Sequence, residues 1–309
     1  LKGHSEVSVK RGQGILFPEF EECLEMPIKP VNVSSVPQRS PFRYPGGKTW
    51  FVPVFREWMN ENATNITTLV EPFAGGGIIS LTALFEDFVQ NVVMVEIDED
   101  VAAVWLSIVN GDAEWLADRI ISFDLTKENA VKELARKPKS SKERAFQTIL
   151  KNRTIHGGIL ADGSGFIKHG ENGKGIRSRW YPNTIAKRLL DLSDIAHRID
   201  FRNEDGLSII KEHVSNDSTV FFIDPPYTAG GKRAGRRLYK HFDIDHEYLF
   251  ELCGDIRGDF LMTYDNSEEV KEFASKMNFQ TRLIPMNNTH HATVFEMVIG
   301  KDLSWMDSV

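Results

Sequence analysis

The chain of 309 residues is poor in the features that mark several protein classes. It has two cysteines, Cys23 and Cys253, with neither metal-ligand spacing nor disulfide density, which excludes a disulfide scaffold and a zinc module. No apolar run approaches the roughly twenty residues of a membrane span. The first thirty residues hold no apolar core of the signal-peptide kind. A cytoplasmic location is the expectation, with no membrane partner. Positive charge is in deficit: 37 Lys and Arg stand against 44 Asp and Glu, a net charge of −7. Taken alone, that balance speaks against a nucleic-acid partner.

The distribution of charge speaks the other way. From Lys132 to Arg202 there are 16 basic and 7 acidic residues, a local +9, and the remainder of the chain carries −16. This asymmetry predicts a basic lobe on an acidic body. With 41% hydrophobic and 26% charged residues, the body is that of a globular domain.

The stretch Phe221-Phe222-Ile223-Asp224-Pro225-Pro226-Tyr227 organises the rest. Val220 to Ile223 read as a buried strand. Two prolines without N–H groups end it and fix the directions of the neighbouring carbonyls. A rigid acceptor pair, the Asp224 carboxylate and the Pro225 carbonyl, beside the flat ring of Tyr227 suits a planar group that bears an amine, such as a nucleobase edge.

Upstream, Pro18, Pro27, Pro30 and Pro37 punctuate residues 1–38, which read as a peripheral extension. Arg43-Tyr44-Pro45-Gly46-Gly47-Lys48-Thr49 ends in Gly-Lys-Thr. Phe42 occupies the place where a phosphate loop needs its first glycine, so a nucleoside triphosphatase is excluded. The double glycine still lets backbone approach a ligand closely, and a helix is predicted over Thr49–Met59. Thr68-Leu69-Val70-Glu71-Pro72-Phe73-Ala74-Gly75-Gly76-Gly77, with apolar Ile78 to Phe85 behind it, reads as strand, glycine turn and helix, the first unit of a doubly wound sheet. A second strand, Asn91–Val95, delivers Glu96 nineteen residues past Gly77. An acid there can accept from both ribose hydroxyls of an adenosine-containing ligand, with Asp98 as the rival for that role.

Helices are predicted over Val101–Ile121, Lys142–Leu150 and Thr184–His197, with loop or hairpin from Gly157 to Gly175. Strand–helix alternation resumes at Ile199–Arg202 and continues through a short helix to His213 and the proline strand. Further helices are expected at Tyr248–Cys253 and Glu268–Met277, with a strand between them at Asp259–Tyr264. Gln280–Pro285 and Ala292–Ile299 read as a closing antiparallel pair. Lys232, Arg233, Arg236, Arg237 and Lys240 form a basic, glycine-containing loop able to grip phosphates.

With these pieces in order, residues 39 to 300 resemble the Dam-type (D12 class, alpha group) DNA adenine-N6 methyltransferases. The segment Arg43 to Lys48 resembles the family's N-terminal cofactor motif. Glu71-Pro72-Phe73-Ala74-Gly75-Gly76-Gly77 resembles its glycine motif, and Asp224-Pro225-Pro226-Tyr227 matches its catalytic motif. Asn152-Arg153, with Arg179-Trp180-Tyr181-Pro182, resembles its target-recognition region.

The resemblance implies a Rossmann-like doubly wound catalytic domain over residues 39–131 and 199–309. A mainly helical recognition insert over 132–198 would interrupt it. S-adenosylmethionine is the implied cofactor, with Tyr44, Gly47 and Lys48 near its methionine end and Glu71, Pro72, Phe73, Gly75 and Gly77 around the turn beneath it. Glu96 is implied to hold the ribose and Asp205 the adenine amine. Double-stranded DNA is the implied partner, touched by Asn152, Arg153, Arg177 and Arg179, by the Lys232–Lys240 loop and by Arg43. The target adenine would flip out onto Asp224, Pro225, Pro226 and Tyr227, with no metal required. A cognate restriction endonuclease is a companion that the resemblance allows without requiring contact. Relatives that read GATC carry Asn and Arg in the recognition hairpin. By spacing from Asn152 those places hold Gly157 and Ala161, so GATC is not the implied site. Cytosine N4 is the rival target, with Ser at the place of Asp224 in such enzymes. RNA adenine is another, with Asn there, and a catalytically silent DNA-binding module is the rival of a different class.

Overall fold

The computed structural model describes residues 33–44, 46–62, 65–160, 164–226, 244–287 and 293–308. Tyr227, the basic stretch with Lys232, Arg233, Arg236 and Arg237, and most of the N-terminal extension lie outside the described residues.

Seven strands form one sheet: β1 (Thr68–Glu71), β2 (Asn91–Val95), β3 (Ile199–Arg202), β4 (Thr219–Ile223), β5 (Asp259–Asp265), β6 (Gln280–Asn287) and β7 (Thr293–Gly300). Their order is β3-β2-β1-β4-β5-β7-β6, with β1 to β5 parallel and β7 antiparallel to both neighbours. The central strands β1, β2 and β4 are short apolar runs buried almost throughout, as a sheet covered on both faces demands, whereas β3 at the edge alternates buried and exposed. The side chains of the sheet divide between two cores. Leu69, Val92, Met94, Val220, Phe222 and Leu261 face one cluster; Val70, Val93, Val95, Phe221, Ile223 and Met262 face the other. The sheet is thus doubly wound, and strand order reverses between β1 and β4.

The helices are α1 (Val52–Asn62), α2 (Ile78–Phe85), α3 (Glu99–Val109), α4 (Ala113–Ser122), α5 (Lys127–Ala135), α6 (Ser141–Thr154), α7 (Pro182–Ile195), α8 (Gly206–His213), α9 (His246–Asp255) and α10 (Glu268–Lys276). Side-chain caps define several starts: Asp98 accepts from Asp100 N, Thr126 from Asn129 N, and Asp245 from Tyr248 N. The single helix expected over Val101–Ile121 is two helices. Gly111 sits at φ +87°, a conformation open to glycine, and turns the chain between α3 and α4.

Among the described residues, five α-helices stand between β2 and β3 in place of one crossover. Helix α3 packs on α6, and α4 on α7. Phe146, Ile149 and Leu150 of α6 and Ile185, Leu189 and Leu192 of α7 join Trp105, Ile108, Leu116 and Ile120 in one apolar cluster. The basic segment is therefore packed on the sheet's flanking helices through buried apolar side chains. No described helix is long and apolar enough to cross a membrane.

Candidate active site

The carboxyl ends of β1 and β4 lie side by side at the switch point, where open α/β sheets bind ligands. Glu71 closes β1 and Asp224 follows β4, so pairing of the two strands brings both acids to one edge. Lys48 reaches the same place from the 3-10 turn Lys48–Phe51 that leads into α1. Its ammonium is 5% exposed, 2.9 Å from Asp224 Oδ1 and 2.8 Å from Glu296 Oε1. Thr263 of β5 donates its hydroxyl to the same Asp224 oxygen at 2.9 Å. Burial works against the charge of Lys48, but the two carboxylates and their hydrogen bonds outweigh it and hold the ammonium above the ordinary lysine value. Pro225 is buried and Pro226 half-buried behind Asp224.

Glu71 is sealed in. Its Oε2 accepts from the Ser80 N–H at 3.0 Å and the Ser80 hydroxyl at 2.5 Å. Burial pushes this carboxyl up to about 8 against those two bonds, and the nearby charge of Asp224 adds to the rise.

The glycine turn is built around side chains that leave no room for a Cβ. At Gly77, φ +64°, a Cβ would lie 2.4 Å from Met94 Cε and 3.0 Å from the Trp105 ring. At Gly75, φ +47°, it would lie 2.6 Å from the Tyr44 ring, which rests on the turn. Trp105 Nε1 donates to the Gly75 carbonyl at 3.0 Å. The Gly75 N–H donates to Glu96 Oε2 at 3.1 Å, and the Asp98 N–H to Glu96 Oε1 at 2.9 Å. Burial lifts the Glu96 carboxyl to about 7, opposed by those backbone bonds and helped by the charge of Asp98. Asp98, the rival for the ribose, spends Oδ1 on capping α3.

Asp205 arrives beside this turn. It caps α8, accepting from the Ser208 N–H and hydroxyl at 3.1 Å each. A Cβ on the next residue, Gly206, would meet the Pro72 carbonyl at 2.3 Å and the Phe73 ring at 2.9 Å. The structure thus gathers Tyr44, Lys48, Glu71, Pro72, Phe73, Gly75, Gly77, Glu96, Asp205 and Asp224 along one edge, and Gly47 joins them through its N–H bond to the Tyr44 carbonyl at 3.1 Å.

Other members of the site carried no motif. Ile97, 44% exposed, leaves an apolar side chain at the mouth next to Glu96. Asn203 Nδ2 donates to the carbonyls of Glu96 at 2.7 Å and Ile97 at 3.2 Å, tying the ends of β2 and β3 together. Ser80, Thr263 and Glu296 support the acids. Glu296 had a readable signal, since it is an acid inside the apolar run Val294–Ile299.

The expected DNA contacts divide. Asn152 is 1% exposed: it accepts from the Arg43 N–H at 2.9 Å and donates to the carbonyls of Arg43 and Gly158 at 3.0 and 2.8 Å. Arg153 is 4% exposed and donates to the Pro41 carbonyl at 2.5 Å, while its Nε has no partner among the described residues. Burial lowers its guanidinium to about 9, as do the charges of Arg188, Arg43 and Arg179. Placing both residues on a DNA-facing surface is therefore corrected. They lie on the buried face of α6 and brace the segment that holds Tyr44 and Lys48. Arg177 is exposed but tied, with Nε donating to the Leu125 carbonyl at 2.8 Å. Arg43 is exposed and Arg179 half-exposed. Among the described residues, no group of three or more His, Cys, Asp or Glu could hold a metal ion.

The chemistry of the edge fits an adenosine-bearing cation. Buried Glu96 can accept from a diol, Ile97 offers an exposed apolar side chain beside it, and the Asp224 carboxylate at the switch point favours positive charge. The fold is a doubly wound α/β sheet with the candidate site at its switch point. A sequence model of the D12 class N6 adenine-specific DNA methyltransferases matches residues 44–287, and the chain belongs to that family. No curated protein matches the chain significantly. Among solved structures it is similar to a putative RNA methyltransferase from Pyrococcus horikoshii, 11% identical, with 84% of each chain covered and a TM-score of 0.38. It is also similar to the rRNA methyltransferase aviRa from Streptomyces viridochromogenes, 12% identical, covering 88% of this chain and 93% of that one, with a TM-score of 0.40. A putative methyltransferase from Escherichia coli, 12% identical, covers 85% and 90% with a TM-score of 0.36.

Proposed function

We propose that the protein is a Dam-type, site-specific DNA methyltransferase that moves the methyl group of S-adenosylmethionine to N6 of a flipped-out adenine in duplex DNA. The observation that carries this reading is Asp224. It stands at the carboxyl end of β4 with one oxygen fixed by Lys48 and Thr263, and a rigid Pro225-Pro226 follows it.

When bound, the cofactor supplies a methyl group already activated on a cationic sulfur. Glu96 would take the ribose, Ile97 and Asp205 the adenine ring and its amine, with the Gly75–Gly77 turn beneath. The acceptor, adenine N6, is a weak nucleophile because its lone pair is delocalised into the ring. Asp224 and the Pro225 carbonyl accept its two hydrogens and favour a pyramidal nitrogen. Positive charge would develop on N6 as the nitrogen takes the methyl group. Carboxylate density at Asp224 stabilises that charge, and the nitrogen then releases one proton to solvent. A base inside a duplex cannot reach this edge, so it must leave the stack. Most of the rate then comes from in-line positioning.

The test is transfer of a tritiated methyl group to duplex DNA, followed by nucleoside analysis. N6-methyladenine is the expected product. N4-methylcytosine, or transfer to RNA alone, overturns the reading.

A further inference from the structure

Glu296 is a carboxylate in the middle of an apolar strand. It is buried, flanked on β7 by Phe295 and Met297, and the register places it opposite Asp265 of β5 and Ile284 of β6. A carboxylate taken out of water at such a place is costly to retain unless a cation meets it. Lys48 does so, at 2.8 Å. The antiparallel direction of β7 explains how Glu296 gets there. This strand starts at the edge where β4 and β5 end, so its fourth residue lies beside the acid that follows β4.

The three charges meet at Lys48. Lys48 is shared between Asp224, at 2.9 Å, and Glu296, at 2.8 Å. Together these three side chains carry one net negative charge. With Asp224 and Lys48 alone the cluster would be neutral, and the ammonium would be spent on the carboxylate that has to meet the growing positive charge of the target nitrogen.

We infer that Glu296 is a positioning residue for methyl transfer. It acts through Lys48, holding the ammonium between β4 and β7 and keeping the Asp224 cluster negative as N6 becomes cationic. The inference rests on the assignment of Asp224 as acceptor of the target amine.

The experiment uses the full chain with three substitutions: Glu296→Gln, Glu296→Asp and Asp224→Ala. Gln keeps the size and an acceptor oxygen for Lys48 and removes only the charge. Single-turnover methyl transfer is measured at saturating S-adenosylmethionine and duplex DNA, with both dissociation constants measured separately. Glu296→Gln is expected to slow transfer by about tenfold or more while each dissociation constant moves less than about twofold, because the lost interaction belongs to the transition state. Glu296→Asp, which restores the charge on a shorter side chain, is expected to recover part of the rate. If Glu296→Gln turns over like the wild type, or if its loss appears wholly in the dissociation constants, the inference is overturned. It is also overturned if Glu296→Asp is no faster than Glu296→Gln. Should Glu296→Gln not fold, the comparison of Glu296→Asp with the wild type still reads the same rate and binding split. Asp224→Ala separates the two levels: a folded Asp224→Ala enzyme with wild-type turnover removes the assignment beneath the inference, whereas a dead one leaves Glu296 to be judged by its own variants.

Discussion

The side-chain amide of Asn152 holds the backbone of Arg43 by both of its polar groups, accepting from the N–H at 2.9 Å and donating to the carbonyl at 3.0 Å. The two residues are 109 positions apart. One lies on the helical segment between β2 and β3, the other one residue before the tyrosine that covers the glycine turn. Helix α6 thereby fixes the loop that supplies Tyr44 and Lys48, and Arg153 adds a bond to Pro41 on the same loop. Asn152→Ala removes three hydrogen bonds, one buried and two part-buried, and leaves their backbone partners without this side chain. It is expected to destabilise the fold by about 2–4 kcal/mol and to weaken cofactor binding without altering which DNA sequence is methylated. Urea unfolding and calorimetry check the first two effects. A variant of unchanged stability and altered site preference would restore Asn152 to the DNA surface.

Glu96→Ala is expected to weaken S-adenosylmethionine binding by about 2–4 kcal/mol, the worth of two hydrogen bonds to a carboxylate, with little change in DNA affinity. It also strips the Gly75 N–H of its partner, so part of the loss belongs to a slackened turn. Calorimetry with an unchanged cofactor constant would move the ribose to Asp98 or to another place.

Stability should fall as pH rises. Glu71 and Glu96 have folded-state values of about 8 and about 7, both above the ordinary 4.5, with burial as the leading cause. Between the ordinary value and these, the folded chain holds protons that the unfolded chain has released. The stabilisation is present in full below about pH 4.5 and is lost as pH climbs through 7 and 8. Each group that titrates contributes about 1.4 kcal/mol per pH unit in that window. Urea unfolding of the cofactor-free protein at about pH 6, 7 and 8 reads the slope, and Glu71→Gln should flatten it. A profile that rises over this window would mean that these carboxyls are ionised in the folded state.

Much of this architecture could be read in the chain because the local signals agreed with the global fold. Val220–Ile223 cannot avoid being a buried strand, two prolines must end it, and an acid just before them must lie at the sheet's edge. The same reasoning placed Glu96. What escaped the sequence depended on partners distant in the chain. Asn152-Arg153 looks like a polar pair suited to DNA, and nothing local says that both point inward onto residues 41 to 43. Helix α5, Lys127–Ala135, was hidden by its charge and weak apolar stripe. Thr263 and Glu296 enter the site only because β4, β5 and β7 run together at one edge.

The exposed arginines should carry the reading of DNA, and the buried one should not. Arg43 is exposed beside the cofactor loop, and Arg179 closes the 3-10 turn Gly175–Arg179 before Trp180. Loss of a phosphate contact weakens every duplex about equally and reduces the salt slope by roughly one unit. Loss of a base contact relaxes preference at one position, by about 1–3 kcal/mol. We expect Arg43→Ala or Arg179→Ala to produce the second pattern. Arg153→Ala should instead lower stability, with site preference intact, since its guanidinium is committed to Pro41. Arg177→Ala should be mild, because the side chain is anchored on Leu125 and faces Asp124 at 3.7 Å. Methylation of a library of single-base site variants at two salt concentrations separates these outcomes. If Arg43→Ala and Arg179→Ala both keep the wild-type preference, base reading must come from elsewhere in the chain, with the basic stretch Lys232–Lys240 next to be substituted.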